Sequence, residues 1–481
     1  MTALWTTVEV TKATGGTCSG SWSASGVSID SRSIQKGDLF VALKGPNFDG
    51  HQFAADALSK GAAAVIVQES FRDSDGYHDK LVMVKDTFAA LQNLGKAARA
   101  RTSARIVAVT GSVGKTGTKE ALKLSFKVQG ATHATEGNLN NHWGVPLSLA
   151  RMPTETEYGV FELGMNHAGE IAPLSKLVRP HVAIITNVEA AHLEFFNSIV
   201  EIADEKAAIM AGLEPDGVVV LPRDNPHYAR LASATTAYKC KSAVSFGTGG
   251  DAAARLVAWS LTPDGTQVAA EFDGQRIIYD MIVSGRHWAL NSVAALAAIE
   301  ALGADLRLGA AALAKLAAPQ GRGARARIQT SAGSILLIDE SYNASPAAVR
   351  LLAETLAQMR QSVSGTSGRL IMVLGDMLEL GAGAASLHAD LATSLQSAAI
   401  DLIFTAGPLM KSLHDALPRD MRGDHATNAE ELAQLVIQTI SAGDVIAIKG
   451  SHGSHMGVVV DAILALGTNH TQSAPRAVNK Q

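Results

Sequence analysis

Residues 107–119 read Val-Ala-Val-Thr-Gly-Ser-Val-Gly-Lys-Thr-Gly-Thr-Lys and combine the residue types that hold a polyphosphate. An apolar β-branched run over 106–109 ends in a turn carrying Gly111 and Gly114, and a helix-prone stretch over 119–128 follows. Free backbone N–H groups in such a turn and at the helix N-terminus attract anions. Lys115 adds a point charge for β/γ-phosphates, and the Thr116 hydroxyl can ligate Mg²⁺. The nucleotide-binding candidates are therefore Thr110, Gly111, Ser112, Val113, Gly114, Lys115, Thr116 and Gly117. The common phosphate-loop pattern has its first glycine at the position held here by Val109, so this loop is the shorter T-G-S-x-G-K-T. An ordinary strand–helix turn with a surface lysine is the plain alternative, but it needs no cluster of glycines, which are costly to order.

Further polar residues stand where predicted strands end, the place at which open α/β sheets collect their ligands. Glu162 closes the run Tyr-Gly-Val-Phe-Glu and can hold Mg²⁺ against the phosphates; a strand cap explains it equally well. His192 follows Val-Ala-Ile-Ile-Thr-Asn-Val, where a structural or surface histidine is the commoner role. Lys206 lies in the amphipathic stretch Ile-Ala-Asp-Glu-Lys-Ala-Ala-Ile-Met, and its spacing favours a solvated lysine. Asn138, Asn140 and Asn141 crowd one turn with more donors and acceptors than turn geometry needs. In Asp339-Glu-Ser-Tyr-Asn-Ala-Ser-Pro, Ser345 as helix N-cap and Pro346 in the first helical position explain the end of the motif. They do not explain Asp339, Tyr342 or Asn343.

The elements that must position these groups alternate. Apolar runs at 39–43, 63–67, 106–109, 158–163, 182–186, 218–221, 335–339, 370–374, 402–405 and 445–449 predict strands. Between them lie helical periods such as 346–359, where Val349, Leu352, Leu356 and Met359 share one face. Alternation of this kind predicts parallel α/β layers, while 258–279, with two Asp-Gly turns, predicts an antiparallel hairpin. With 481 residues the chain needs more than one core. Polar 99–105 and the Pro/Gly/Arg-rich linker 317–327 divide it into expected domains 1–103, 104–320 and 321–481. The predicted fold is α/β: a central phosphate-loop domain with a mostly parallel sheet, a Rossmann-like C-terminal domain and a smaller N-terminal α/β domain. A net charge of −4 with 47% hydrophobic residues argues against a nucleic-acid binder. No run of 18 apolar residues predicts a membrane span. Two distant cysteines and no basic-then-apolar leader give the expectation of a cytoplasmic protein.

In combination and in this order, the motifs resemble the Mur ligases, ATP-dependent amide-forming enzymes of peptidoglycan synthesis. The likeness runs from Asp30-Ser-Arg-Ser-Ile-Gln-Lys-Gly-Asp through the short phosphate loop, Gly-Asn-Leu-Asn-Asn and Phe-Glu-Leu-Gly-Met-Asn. It continues through Gly285-Arg-His-Trp-Ala-Leu-Asn, Asp-Glu-Ser-Tyr-Asn-Ala and Leu374-Gly-Asp-Met-Leu-Glu-Leu-Gly. Within the family it points to the branch joining D-alanyl-D-alanine to UDP-N-acetylmuramoyl-tripeptide, with ATP and two Mg²⁺ ions and a monomeric state.

The resemblance implies that Lys115 contacts the phosphates, that Thr116 and Glu162 hold one Mg²⁺, and that His192 helps hold a second. It implies that Lys206 is carboxylated by CO₂ and serves as an anionic metal ligand, against the solvated reading above. Asn291, Arg322, Asp339, Tyr342 and Asn343 would face the nucleotide. Ser31 and Arg32 would bind the uridine diphosphate, and Asn138, Asn140 and Asn141 the muramoyl-peptide part. Trp288, Ser345 and the Lys449-Gly-Ser-His segment depart from the family's usual residues. The alternatives are a sister ligase adding meso-diaminopimelate or lysine, a folylpolyglutamate synthetase, and a regulatory phosphate-loop ATPase that ligates nothing.

Overall fold

The computed structural model describes residues 3–73, 76–190, 193–262, 265–330, 333–362 and 368–467. Three parallel or mostly parallel sheets organise these residues. The N-terminal sheet orders Gly26–Ser28, Asp38–Val41, Ala64–Gln68 and Leu81–Val84 in sequence, all parallel. The central sheet has nine strands, running in space from Thr132–Ala134 through Tyr158–Glu162, Arg105–Thr110, Val182–Ile185, Val218–Pro222 and Ser242–Gly247 to Ala254–Thr262, Gly265–Phe272 and Gln275–Met281. The C-terminal sheet orders Ala324–Thr330, Gly333–Glu340, Val445–Lys449, Leu370–Gly375, Leu402–Ala406 and Arg422–Ala426. All of its pairings are parallel except the first. All ten predicted strands form. Among the described residues no helix is long and apolar enough to cross a membrane.

Burial on both faces explains the unbroken apolar strand runs. In Arg105–Thr110, Val107 and Val109 point into one core and Ile106 and Ala108 into the other. The helix Arg286–Ala301 covers the first of these faces and is buried nearly all round, which is why it is rich in alanine rather than amphipathic. Leu296, fully buried in that core, is expected to cost about 2–5 kcal/mol on replacement by alanine, through lost burial and a residual cavity. A urea midpoint unchanged by Leu296→Ala would contradict this packing.

The structure corrects three expectations. The phosphate-loop helix starts at Lys115, not near 119, and runs to Lys127, because glycines depress helix propensity exactly where the loop must hand over to the helix. The predicted hairpin at 258–279 is a three-stranded antiparallel meander on the edge of the central sheet. The linker expected over 317–327 becomes, from Ala324, an edge strand paired antiparallel with Gly333–Glu340. Its alternating Ala-Arg-Ala-Arg pattern has the strand period of two, and arginines suit an edge that must resist further pairing.

The order in which strands are added across the sheet reverses at Arg105–Thr110, while all of its neighbours stay parallel. The strands that follow it first, Thr132–Ala134 and Tyr158–Glu162, lie on one side; Val182–Ile185 and its successors lie on the other. The loops leaving the C-terminal ends of these neighbours part at this switch point and leave a crevice for a ligand.

Candidate active site

Register brings the chemistry together. Val109 stands opposite Glu162, and Thr110 opposite Ile185, so the phosphate loop, Glu162 and Thr186 emerge side by side. Thr186, 76 residues from Thr110 in sequence, clamps the loop: its hydroxyl donates to the carbonyls of Val113 at 2.6 Å and Thr110 at 3.2 Å. Ser112 is held twice, its N–H donating to the Asn187 carbonyl and its hydroxyl to that of Glu189. Gly111 has φ +150°, and a Cβ there would lie 1.9 Å from the Thr186 hydroxyl oxygen. No side chain fits. Gly114, at φ +91°, precedes the helix Lys115–Lys127 without any side-chain cap, which leaves the first N–H groups of that helix for an anion.

Around this cradle the side chains separate into a metal-suited pair and a set of cations. The Thr116 hydroxyl donates to Glu162 at 3.0 Å, and the other Glu162 carboxylate oxygen accepts from the Asn140 amide at 2.8 Å. Both Thr116 and Glu162 are buried. A hydroxyl beside a carboxylate offers the hard oxygen donors that Mg²⁺ prefers. Among the described residues no group of three His, Cys, Asp or Glu side chains gathers as a metal cage, as suits an ion completed by phosphate oxygens. His192 lies outside the described residues. The Lys115 ammonium folds back onto the carbonyls of Gly111 at 2.6 Å and Ser112 at 3.4 Å. Burial lowers its pKa, Glu162 opposes that, and the nearby Arg322 charge adds to it.

Lys206, on the helix Ile199–Ala207, is only 2% exposed. The amphipathic period suggested solvent, but its helix is covered on this face. Burial pushes its pKa well below that of an ordinary lysine; the Lys115 charge lowers it further, and Glu205 opposes. Glu205 itself is engaged, accepting from the N–H groups of Gly169 and Ile171. A buried amine held towards its neutral form is a nucleophile.

The C-terminal sheet brings up the remaining groups. Arg322 lies over the Tyr342 ring at 4.0 Å, and His452 meets the same ring edge-on. Asp339 fixes the turn beneath, accepting from the Gly321 N–H at 3.1 Å and the Ser341 hydroxyl at 2.6 Å. Asn343 is exposed and its side-chain oxygen accepts from the Ala344 N–H. Ser345 caps the helix from Pro346, accepting from the Ala348 N–H at 3.3 Å. On the helix Arg286–Ala301, Asn291 reaches the loop: a Cβ on Gly114 would lie 2.8 Å from its amide.

Four expected site residues sit apart from the loop or serve their own turn. Ser31 and Arg32 follow the first strand of the N-terminal sheet, and the exposed Arg32 guanidinium pairs with Asp30 at 2.7 Å. Asn141 is exposed, and its side-chain oxygen accepts from the Trp143 and Gly144 N–H groups, fixing the start of the next helix. Asn138 is exposed and accepts through its carbonyl from the Asn140 N–H. Thr186 is the residue that sequence reasoning missed, and Trp288 stood out there only as a departure from the family's usual residues. The Thr-Asn ending of the 182–186 run was the available signal for the first.

A parallel sheet with a short phosphate loop at its switch point and an acidic strand end beside it define a phosphate-loop nucleotide-binding protein. Residues 23–100 match the Mur ligase family catalytic domain, 109–299 the Mur ligase middle domain, and 324–452 the Mur ligase glutamate ligase domain. The chain is 35% identical to the UDP-N-acetylmuramoyl-tripeptide--D-alanyl-D-alanine ligase of Rickettsia prowazekii, over 95% of this chain and 99% of that one. A crystal structure of MurF from Acinetobacter baumannii superposes with a TM-score of 0.82 at 30% identity, covering 96% of this chain and 99% of the other. The MurF ligase of Thermotoga maritima in complex with ADP follows at 0.77 and 27%, covering 92% and 97%. The chain belongs to the Mur ligase family.

Proposed function

We propose that this enzyme uses ATP to join D-alanyl-D-alanine to the terminal carboxylate of UDP-N-acetylmuramoyl-tripeptide, a step of peptidoglycan synthesis. The observation that carries the reading is the Thr116–Glu162 pair set against the Gly111–Thr116 loop, in a chain matching ligases of that name over nearly its whole length. Residues 1–103 would hold the uridine nucleotide, 104–320 the ATP, and 321–481 would close over both.

A carboxylate is a poor acylating agent, and its charge repels the phosphate it must attack. One of its oxygens attacks the γ-phosphorus of ATP, the bond to the β-phosphate oxygen breaks, and an acyl phosphate and ADP form. The amine of D-alanyl-D-alanine then attacks the acyl carbon, and phosphate leaves as the amide forms and the amine loses a proton. Lys115 leaves its loop carbonyls for the phosphates, and with Arg322 it offsets the charge that gathers in the transition state. Mg²⁺ held by Thr116 and Glu162, with His192 for a second ion, would supply the rest of that neutralisation. Lys206 has the burial and the lowered pKa that carbamate formation with CO₂ requires, and a carbamate there would be a further anionic metal ligand. Asn291, Asp339, Tyr342 and Asn343 would line the nucleotide. Ser31, Arg32, Asn138, Asn140 and Asn141 would meet the uridine diphosphate and peptide. Closure of the third domain keeps water from the acyl phosphate.

The test is a substrate screen. ATP-dependent phosphate release should require UDP-N-acetylmuramoyl-tripeptide together with D-alanyl-D-alanine. Equal turnover with meso-diaminopimelate or lysine as the amine would favour a sister ligase, and turnover without any acceptor a regulatory ATPase. Arg32→Ala is expected to raise KM for the uridine nucleotide far more than KM for ATP. Because Arg32 and its partner are exposed, their pair adds little to stability, and the change reads on ligand binding. Equal shifts in both constants would remove Arg32 from the uridine site.

A further inference from the structure

Two helices meet at the phosphate loop through a pair of glycines. Asn291 approaches Gly114, and Trp288, one turn earlier on its helix, approaches Gly117, one turn later on the other. A Cβ on Gly117 would lie 2.8 Å from the Trp288 ring. The matching three-residue steps make this an antiparallel contact in which only glycine leaves room for the indole. Trp288 is 4% exposed. The indole also reaches the C-terminal domain, since a Cβ on Gly323 would lie 3.4 Å from its Nε1.

Gly323 belongs to the short segment 321–323 that carries Arg322. That segment is tied to the C-terminal sheet at both ends. The Gly323 N–H donates to the Asp339 carbonyl at 2.8 Å, and the Gly321 carbonyl accepts from the Tyr342 N–H at 3.0 Å. Its middle residue, Arg322, lies on the Tyr342 ring. Trp288 therefore packs on the phosphate-loop helix on one side and stands within a methyl's width of the base of the Arg322 segment on the other. At Gly117 only glycine leaves room for the ring, whereas at Gly323 the gap to the indole Nε1 is about the size of a methyl group.

We infer that Trp288 is a positioning residue for the nucleotide: it sets where Arg322 stands relative to the phosphate loop by packing between Gly117 and Gly323. This rests on the reading of the loop as an ATP site. Movement of the C-terminal domain is then felt at the loop through one rigid side chain, and nucleotide binding at the loop is felt at Arg322.

The experiment measures ADP binding directly, with KM for ATP and for the uridine nucleotide, in the full-length wild type, Trp288→Leu, Arg322→Ala and the double variant. Trp288→Leu should weaken ADP binding and raise KM for ATP by about tenfold or more, leaving KM for the uridine nucleotide within about twofold. Trp288→Phe, which keeps a ring against Gly117 but is too short to reach Gly323, should fall between, and it keeps the test open if the leucine variant folds poorly. Because Trp288 acts through Arg322, the Arg322→Ala loss should be smaller in the Trp288→Leu background than in the wild type. Losses that simply multiply, or ADP binding by both Trp288 variants within about twofold of wild type, would overturn the inference and leave the ligase reading intact. Failure of the wild type itself to bind ADP would instead overturn the nucleotide reading and this inference with it.

Discussion

Lys115→Ala and Glu162→Ala are each expected to reduce ligation by at least about a thousandfold, equivalent to about 4 kcal/mol of transition-state stabilisation. Circular dichroism and the urea midpoint should stay near wild type for the lysine variant, since among the described residues its ammonium bonds only to loop carbonyls. Glu162 is different because it is buried and accepts from both Thr116 and Asn140. Removing it leaves the buried Thr116 hydroxyl without its acceptor, a cost of about 1–3 kcal/mol, and strips a partner from the half-buried Asn140 amide. Glu162→Gln keeps most of those contacts and is the better probe: it should retain the fold and still lose ligation. Near-normal turnover in Lys115→Ala or Glu162→Gln would sink the assignment of the phosphate site.

The second large effect is at Lys206. The residue is only 2% exposed, and desolvation pushes its pKa well below that of an ordinary lysine. Desolvation of an amine opposes folding, and a thioether of similar volume carries no such cost. Lys206→Met, which keeps the volume and removes the amine, is expected to raise the urea midpoint while lowering kcat by about a hundredfold or more. Short carboxylates such as acetate or formate should restore part of the activity of Lys206→Ala, where the cavity admits them, by standing in for a carbamate. A variant that is both less stable and indifferent to such anions would make Lys206 a structural residue.

The loop, its lysine and its threonine were legible because strand, glycine turn and helix are consecutive, and local sequence carries local structure. The same holds for the ten strands, whose β-branched runs announce burial on both faces. What sequence did not carry is long-range. The Thr-Asn strand ending marks Thr186 as polar but not as the group whose hydroxyl closes the loop from another strand, and nothing near Trp288 indicates its place beside Gly117 and Gly323. Lys206 misled because amphipathic spacing marks a face, while whether that face meets solvent depends on packing from elsewhere. Asn141 and Asn343 show the reverse. Each accepts from backbone N–H within three residues, a local turn bond of the kind asparagine commonly makes, although sequence reasoning set both apart as site residues.

The most direct measurement follows oxygen. With ¹⁸O in the terminal carboxylate of UDP-N-acetylmuramoyl-tripeptide, attack of that carboxylate on ATP and departure of phosphate from the acyl carbon must move one labelled oxygen into the phosphate released. Mass spectrometry should find one ¹⁸O per phosphate for each amide bond formed with D-alanyl-D-alanine. Unlabelled phosphate accompanying that amide would show that the carboxylate was never phosphorylated, and would contradict the use of ATP described here.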